Sequence, residues 1–232
     1  MMKNLILSLI SLSCIILSAN AQSIKIANGP YLQNVYETEA TIVWTSDVPS
    51  IGWVELAPNG NDSFYAKQRQ RFFDASNGIK NTSCLHHVTL KGLTPGTTYR
   101  YRVYSQAVTD QTDYHITYGN YAATDVYTKL PLKFTTTDSN KDEINFVMVN
   151  DIHGRNDVLQ SLIGCCDMSQ TDLVLFNGDM SSMLKDENDI FGGFMDTAIN
   201  LFASEIPMYY TRGNHETRGK HAPRFKDYFS QA

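Results

Sequence analysis

The hydrophobic pattern of this chain changes period near residue 140, and that change commits it to two unlike units. Before that point apolar residues alternate. EATIVWTS, residues 39–46, puts Ala40, Ile42 and Trp44 on one side and Thr41, Val43 and Thr45 on the other. This is the period of two expected of a strand with one buried face. The stretches 51–56, 86–93, 97–105 and 132–137 read the same way, and turn residues separate them at Pro58-Asn59-Gly60, Thr94-Pro95-Gly96 and Asp138-Ser139-Asn140. After residue 140 the pattern differs. EINFVMVND, residues 143–151, is a continuous apolar run, as expected of a strand buried on both faces.

Short strands at the first spacing predict an all-β sandwich over residues 22–137. Both tryptophans and ten of the thirteen tyrosines fall in it. In LKGLTPGTTYRYRV, residues 90–103, Pro95-Gly96 turns the chain sharply and Tyr99 opens the next strand. Its hydroxyl can reach back to the preceding corner, the tyrosine-corner device that ties sheets together. This part resembles a fibronectin type III domain, an immunoglobulin-like sandwich. Residues 107–131 exceed what such a loop needs and carry Tyr114, Tyr118, Tyr121 and Tyr127. They read as a hairpin-like insertion that covers a neighbour.

The second part, residues 141–232, predicts a β-α-β-α-β order. RNDVLQSLIGCCD has a helical period, with Val158, Leu162 and Cys166 on one stripe and Leu159 and Ile163 beside it. TDLVLFNGD, residues 171–179, is a second strand. Phe191, Met195, Ala198 and Phe202 mark a second helix, and IPMYYTRGNHE contains a third strand. Strands alternating with helices imply a parallel sheet.

In such a sheet the C-terminal strand ends share one edge, where ligands bind. The three ends here are Asp151-Ile152-His153-Gly154, Asn177-Gly178-Asp179 and Gly213-Asn214-His215-Glu216. Any one of these residues alone is more often a cap or loop residue than a ligand. Together they bring carboxylates, two imidazoles and an amide to one edge, a mixed oxygen and nitrogen set suited to Mn, Fe or Zn.

D-x-H-G, G-D and G-N-H-E in this order resemble the calcineurin-like metallophosphoesterases. With the sandwich in front, the chain resembles the purple acid phosphatase branch. The resemblance implies a two-metal phosphate ester hydrolase. Asp151 and His153 would bind the first ion, Asp179 would bridge both, and Asn214 would bind the second. His215 would face the substrate, with Glu216 orienting its imidazole. Arg155 and Arg218 follow the first and third motifs and would contact the substrate phosphate, although each reads equally as a surface arginine. The chain departs from the family in two ways. Ser182 stands where the purple enzymes carry a metal-binding tyrosine, so no ferric-tyrosinate site is expected. There is no G-H-x-H, and only His221 follows His215. The chain is therefore expected to be the N-terminal part of a longer enzyme, binding metal weakly and turning over little.

Residues 1–21 read as a secretory leader. Lys3 supplies the positive start, Leu5 to Leu17 an apolar stretch short for a bilayer, and Ala19-Asn20-Ala21 a cleavage site. Gln22 would open a secreted or periplasmic protein with no membrane span. A lipid attachment at Cys14 fits less well, because Ser11 stands where leucine is wanted. Losing Lys3 takes the formal charge from −5 to −6, and no basic patch invites nucleic acid. Cys84, Cys165 and Cys166 would remain, an odd number that makes no disulfide framework. Cys165-Cys166 reads as core packing, with a single bridge involving Cys84 left open. The alternative to an enzyme is a binding module, in which the sandwich holds a glycan or protein beside a remnant hydrolase unit.

Overall fold

The computed structural model describes residues 23–229. The leader read at residues 1–21 lies outside the described residues. The first unit contains β1 (Ile26–Gln33), β2 (Glu39–Pro58), β3 (Gln70–Phe73), β4 (Ala75–Ser76), β5 (Ile79–Lys80), β6 (Thr82–Lys91), β7 (Thr98–Gln111), β8 (Ile116–Ala123) and β9 (Leu132–Thr135). The stretches expected as separate strands at 39–46 and 51–56 form one 20-residue strand. Its first half pairs with β1 and β6, and its second half with β3 and β7. The pairing with β6 breaks register between Thr45 and Ser50. Pro49 lies in that break and has no N–H to give to a ladder, which suits the point where the strand exchanges partners.

Ala40, Ile42 and Trp44 enter the sandwich core with Leu32, Val54, Val88, Leu90, Tyr101, Val103 and Phe134. Thr94 N–H donates to the Tyr99 hydroxyl at 2.9 Å, closing the expected tyrosine corner. The opposite face of β2 is buried as well: Val43 is fully buried and Thr41 and Thr45 nearly so. Val43 and Tyr31 pack into the core of the second unit. Alternation therefore marks two different cores here rather than a core and a solvent face. β7 and β8 form the expected hairpin, but it projects into solvent: Tyr114 is 99% exposed at its tip.

The second unit contains β10 (Phe146–Val149), α1 (Asn156–Gly164), β11 (Leu173–Asn177), a helix built from Phe191–Met195, Asp196–Ala198 and Ile199–Ala203, and β12 (Met208–Thr211). The three strands are parallel in the order β10-β11-β12. Leu159 and Ile163 are the buried stripe of α1, whereas Leu162 is 45% exposed. Phe191, Met195, Ala198 and Phe202 are all buried, as their spacing predicts. Phe176 meets Phe194, Phe202 and Tyr210 edge-on at centroid distances of about 6 Å. Only one face of β10 is covered, since Phe146 and Met148 are more than half exposed. The continuous apolar run overstated its burial. Cys165 is exposed and Cys166 half-buried, so this pair does not pack a core, and all three described cysteines are free thiols.

Several hydrogen bonds join the units. The Tyr31 hydroxyl donates to Tyr228 O at 2.8 Å and the Tyr101 hydroxyl to Ser204 O at 2.6 Å. The Ser204 hydroxyl donates back to Pro30 O at 2.8 Å. Of the adjacent histidines, His86 is buried inside the sandwich, held by Ser50 and Asp74. His87 turns outward and bonds Asp227 O at 2.8 Å.

Candidate metal centre

The chain leaves each parallel strand at the same edge. Asp151 lies two residues beyond β10, Asp179 two beyond β11 and His215 four beyond β12. Donor atoms of His153, Asp179 and His215 all lie within 4.8 Å of one another. The two imidazoles meet edge-on, with centroids 4.5 Å apart. Asp151 Oδ1 stands 3.7 Å from His153 Nε2 and faces open solvent. Two imidazoles and a carboxylate on one centre form a donor set that fits a borderline divalent ion.

The backbone is forced into this arrangement. Asp151, His153 and Asp179 have φ of +56°, +55° and +55°. These left-handed conformations are uncommon for residues with a Cβ and persist only where the surroundings impose them. Here the surroundings are the neighbouring loop. Asp151 N–H donates to Gly178 O, His153 N–H to Asp179 O and Gly154 N–H to Met180 O, at 2.8–3.2 Å. Gly213 is required by close approach: a Cβ on it would sit 2.2 Å from Asp179 Oδ1.

Each expected site residue has a definite place. Asp179 Oδ1 accepts from the His215 backbone N–H at 2.9 Å. The Asn214 amide, oriented to satisfy its neighbours, donates to Asp179 Oδ2 at 3.0 Å and accepts from Arg218 Nη2 at 2.8 Å. Arg218 thus lies at the site. Arg155 does not face it freely: Nε and Nη2 are spent on the carbonyls of Ile152 and Asp151, at 2.9 and 2.8 Å. These two bonds tie it to the first loop.

Glu216 also differs from expectation. It is fully buried and does not orient the His215 imidazole. Its Oε2 accepts from Asp179 N–H and Gly213 N–H, and its Oε1 from Ser181 N–H, all at 3.0 Å. The imidazole is instead oriented by the Ser182 carbonyl, 2.9 Å from Nδ1. That bond requires Nδ1 to carry a proton and leaves Nε2 as the nitrogen with a free lone pair. Sequence reading missed the Ser181 and Ser182 main-chain groups because no side-chain pattern announces a carbonyl or an N–H. Tyr210 lies in the third strand, and burial beside the Glu216 carboxylate holds its phenol above the ordinary range. His221 bonds the Tyr228 hydroxyl at 3.0 Å rather than joining the donor group. A cavity of about 530 Å³ opens elsewhere, lined among others by Pro30, Leu130, Met168, Phe202 and Ile206.

An open parallel sheet carrying an aspartate–histidine donor group on its C-terminal edge defines a candidate metal centre. Residues 28–129 match the family model of the purple acid phosphatase N-terminal domain, and residues 144–231 that of the calcineurin-like phosphoesterases. The chain thus carries a stretch similar to the purple acid phosphatase N-terminal domain followed by one similar to the calcineurin-like phosphoesterases. Among solved structures, it is similar to the purple acid phosphatase PPD1 from seeds of yellow lupin (Lupinus luteus). The two are 16% identical, with a TM-score of 0.57, and the match covers 81% of this chain and 35% of that one. At that identity the likeness concerns the fold, and the chain spans about a third of the lupin protein. A computationally redesigned β-sandwich is 19% identical over 50% of this chain and 97% of its own, with a TM-score of 0.30. The chicken CNTN1 FN1–FN3 domains are 10% identical over 55% and 38%, with a TM-score of 0.29. Neither score carries an argument. No curated protein matches the chain.

Proposed function

We propose that this chain is the metal-binding part of a secreted or periplasmic phosphoesterase that hydrolyses phosphate mono- or diesters. The observation that carries the reading is the convergence of His153, Asp179 and His215, set by three strand ends, with His153 and Asp179 in left-handed backbone. A divalent ion in such a site neutralises phosphate oxygens and lowers the pKa of a water. Asp151, His153 and Asp179 would hold a first ion, and Asp179 and Asn214 a second. Asn214 has its amide oxygen on Arg218, so a second ion held there would take the place of that guanidinium. Arg218, whose planar fork suits a phosphate oxygen, would then be free to contact one. His215 has Nδ1 committed to Ser182 and can hold or release a proton at Nε2. No described helix is long and apolar enough to cross a membrane.

The test is hydrolysis of a chromogenic phosphate ester by the whole chain, with and without chelator, beside Asp179→Ala. Metal bound by the parent and lost in the variant is expected, with any turnover abolished by chelator. Unchanged metal content in Asp179→Ala would sink the assignment. The exposed tyrosines at 114, 121 and 127 favour a second reading, a glycan-binding sandwich. It is the weaker one, because Tyr127 already stacks on Tyr65 at 4.7 Å and has the Arg102 guanidinium over its ring.

A further inference from the structure

We infer that Glu216 is the positioning residue of the metal centre: it cannot ligate the ion, yet it sets the ion's affinity by clamping two loops into one frame. The inference rests on the metal-site reading above.

The geometry assigns the role. The loop after β11 carries Asp179, and the loop after β12 carries His215. Glu216 is fully buried at their junction. Its two carboxylate oxygens take three backbone N–H groups, from Asp179 and Ser181 of one loop and Gly213 of the other. One of these donors belongs to a proposed ligand and another to the glycine that touches that ligand's carboxylate. The return contact runs the other way, from His215 N–H to Asp179 Oδ1. The two loops are thus cross-linked once through Glu216 and once through Asp179.

A carboxylate suits this place for a physical reason. Two parallel strands deliver several N–H groups to one buried point, where unpaired donors are costly. A carboxylate offers about four lone-pair sites and no donor, so it alone satisfies three N–H groups at once. Charge-assisted bonds of this kind are the stronger class. A glutamine presents one acceptor and one NH₂. Whichever way it turns, at least one backbone N–H faces another donor. Aspartate keeps both oxygens but is one methylene shorter and cannot span the three donors. The clamp is therefore specific to glutamate, and loosening it releases the left-handed Asp179 and moves its carboxylate relative to the imidazoles.

The experiment is Co(II) titration of the whole chain against a competing chelator, with the visible d–d spectrum recorded at saturation, for the parent, Glu216→Gln and Glu216→Asp. Both variants should bind Co(II) about 10- to 100-fold more weakly, the usual effect of losing a residue that supports metal ligands. At saturation their spectra should change, because ligand geometry has moved. A merely structural role would lower the melting temperature and leave the saturated spectrum as in the parent. Affinity within twofold of the parent, in a variant with native near-ultraviolet circular dichroism, overturns the proposal. A parent that binds no Co(II) refutes the metal-site reading instead. Amide hydrogen exchange on the parent needs no variant: Asp179, Ser181 and Gly213 should exchange slowly and as one group, and fast or unrelated exchange also refutes the clamp.

Discussion

Gly213→Ala isolates how tightly the two loops must approach. The new Cβ would stand 2.2 Å from Asp179 Oδ1 and 2.6 Å from Asp179 N. Real Cβ atoms essentially never come within 3.0 Å, so one loop must retreat by about 0.8 Å. One contact is backbone, and the other is a short side chain that is itself hydrogen-bonded. The carboxylate is held by His215 N–H, and the amide by Glu216. Overpacking of this kind costs about 1–3 kcal/mol in stability. The functional effect should be larger in proportion, because ligands must be held within about 0.5 Å of their places. Metal affinity is expected to fall about 10- to 100-fold, or about 1.4–2.7 kcal/mol of binding free energy. Chelator competition with Mn(II) or Co(II), beside a thermal melt, measures both quantities. A folded Gly213→Ala protein with parental affinity would show that the loops are not in rigid contact and would refute the reasoning.

Two further predictions concern the scaffold. Tyr99→Phe removes the hydroxyl that receives Thr94 N–H and should cost about 0.5–1.5 kcal/mol in urea unfolding; a change below about 0.2 kcal/mol would mean that the corner is ornamental. His87 is half-buried against the second unit, and that partial burial holds its pKa below the ordinary histidine value. The unfolded chain then takes up the proton first, so stability is fully present above about pH 6.5 and is lost as pH falls through that value toward the folded pKa. The unfolding midpoint should drop between pH 7 and pH 5, and His87→Gln, which can still donate to Asp227 O, should flatten part of that slope. An identical slope in the variant would place the titration elsewhere.

Much of this architecture could be read from the chain because the relevant physics is local. A period of two at Ala40, Ile42 and Trp44 records a pleated strand with a buried face. The spacing of Phe191, Met195, Ala198 and Phe202 records a helix. The Thr94-Pro95-Gly96 turn placed Tyr99 where its hydroxyl could return. The three strand-end motifs could be gathered on one edge from topology alone, since parallel strands must end together. Val43 and Thr45 were misleading because a strand pattern reports that a face is covered or open only against one partner. Here a second unit covers the other face.

Tertiary structure alone decided what each site residue does. The sequence by itself determined which residues reach the edge: Asp151, His153, Asp179, Asn214, His215 and Glu216. It did not determine that Glu216 turns inward to collect three N–H groups, that Arg155 closes its own loop, or that Ser182 orients the imidazole. The Glu216 and Ser182 contacts join loops more than thirty residues apart, and Arg155 bonds main-chain carbonyls of its own loop. Every residue type carries these groups, so no choice of side chain records where they will meet.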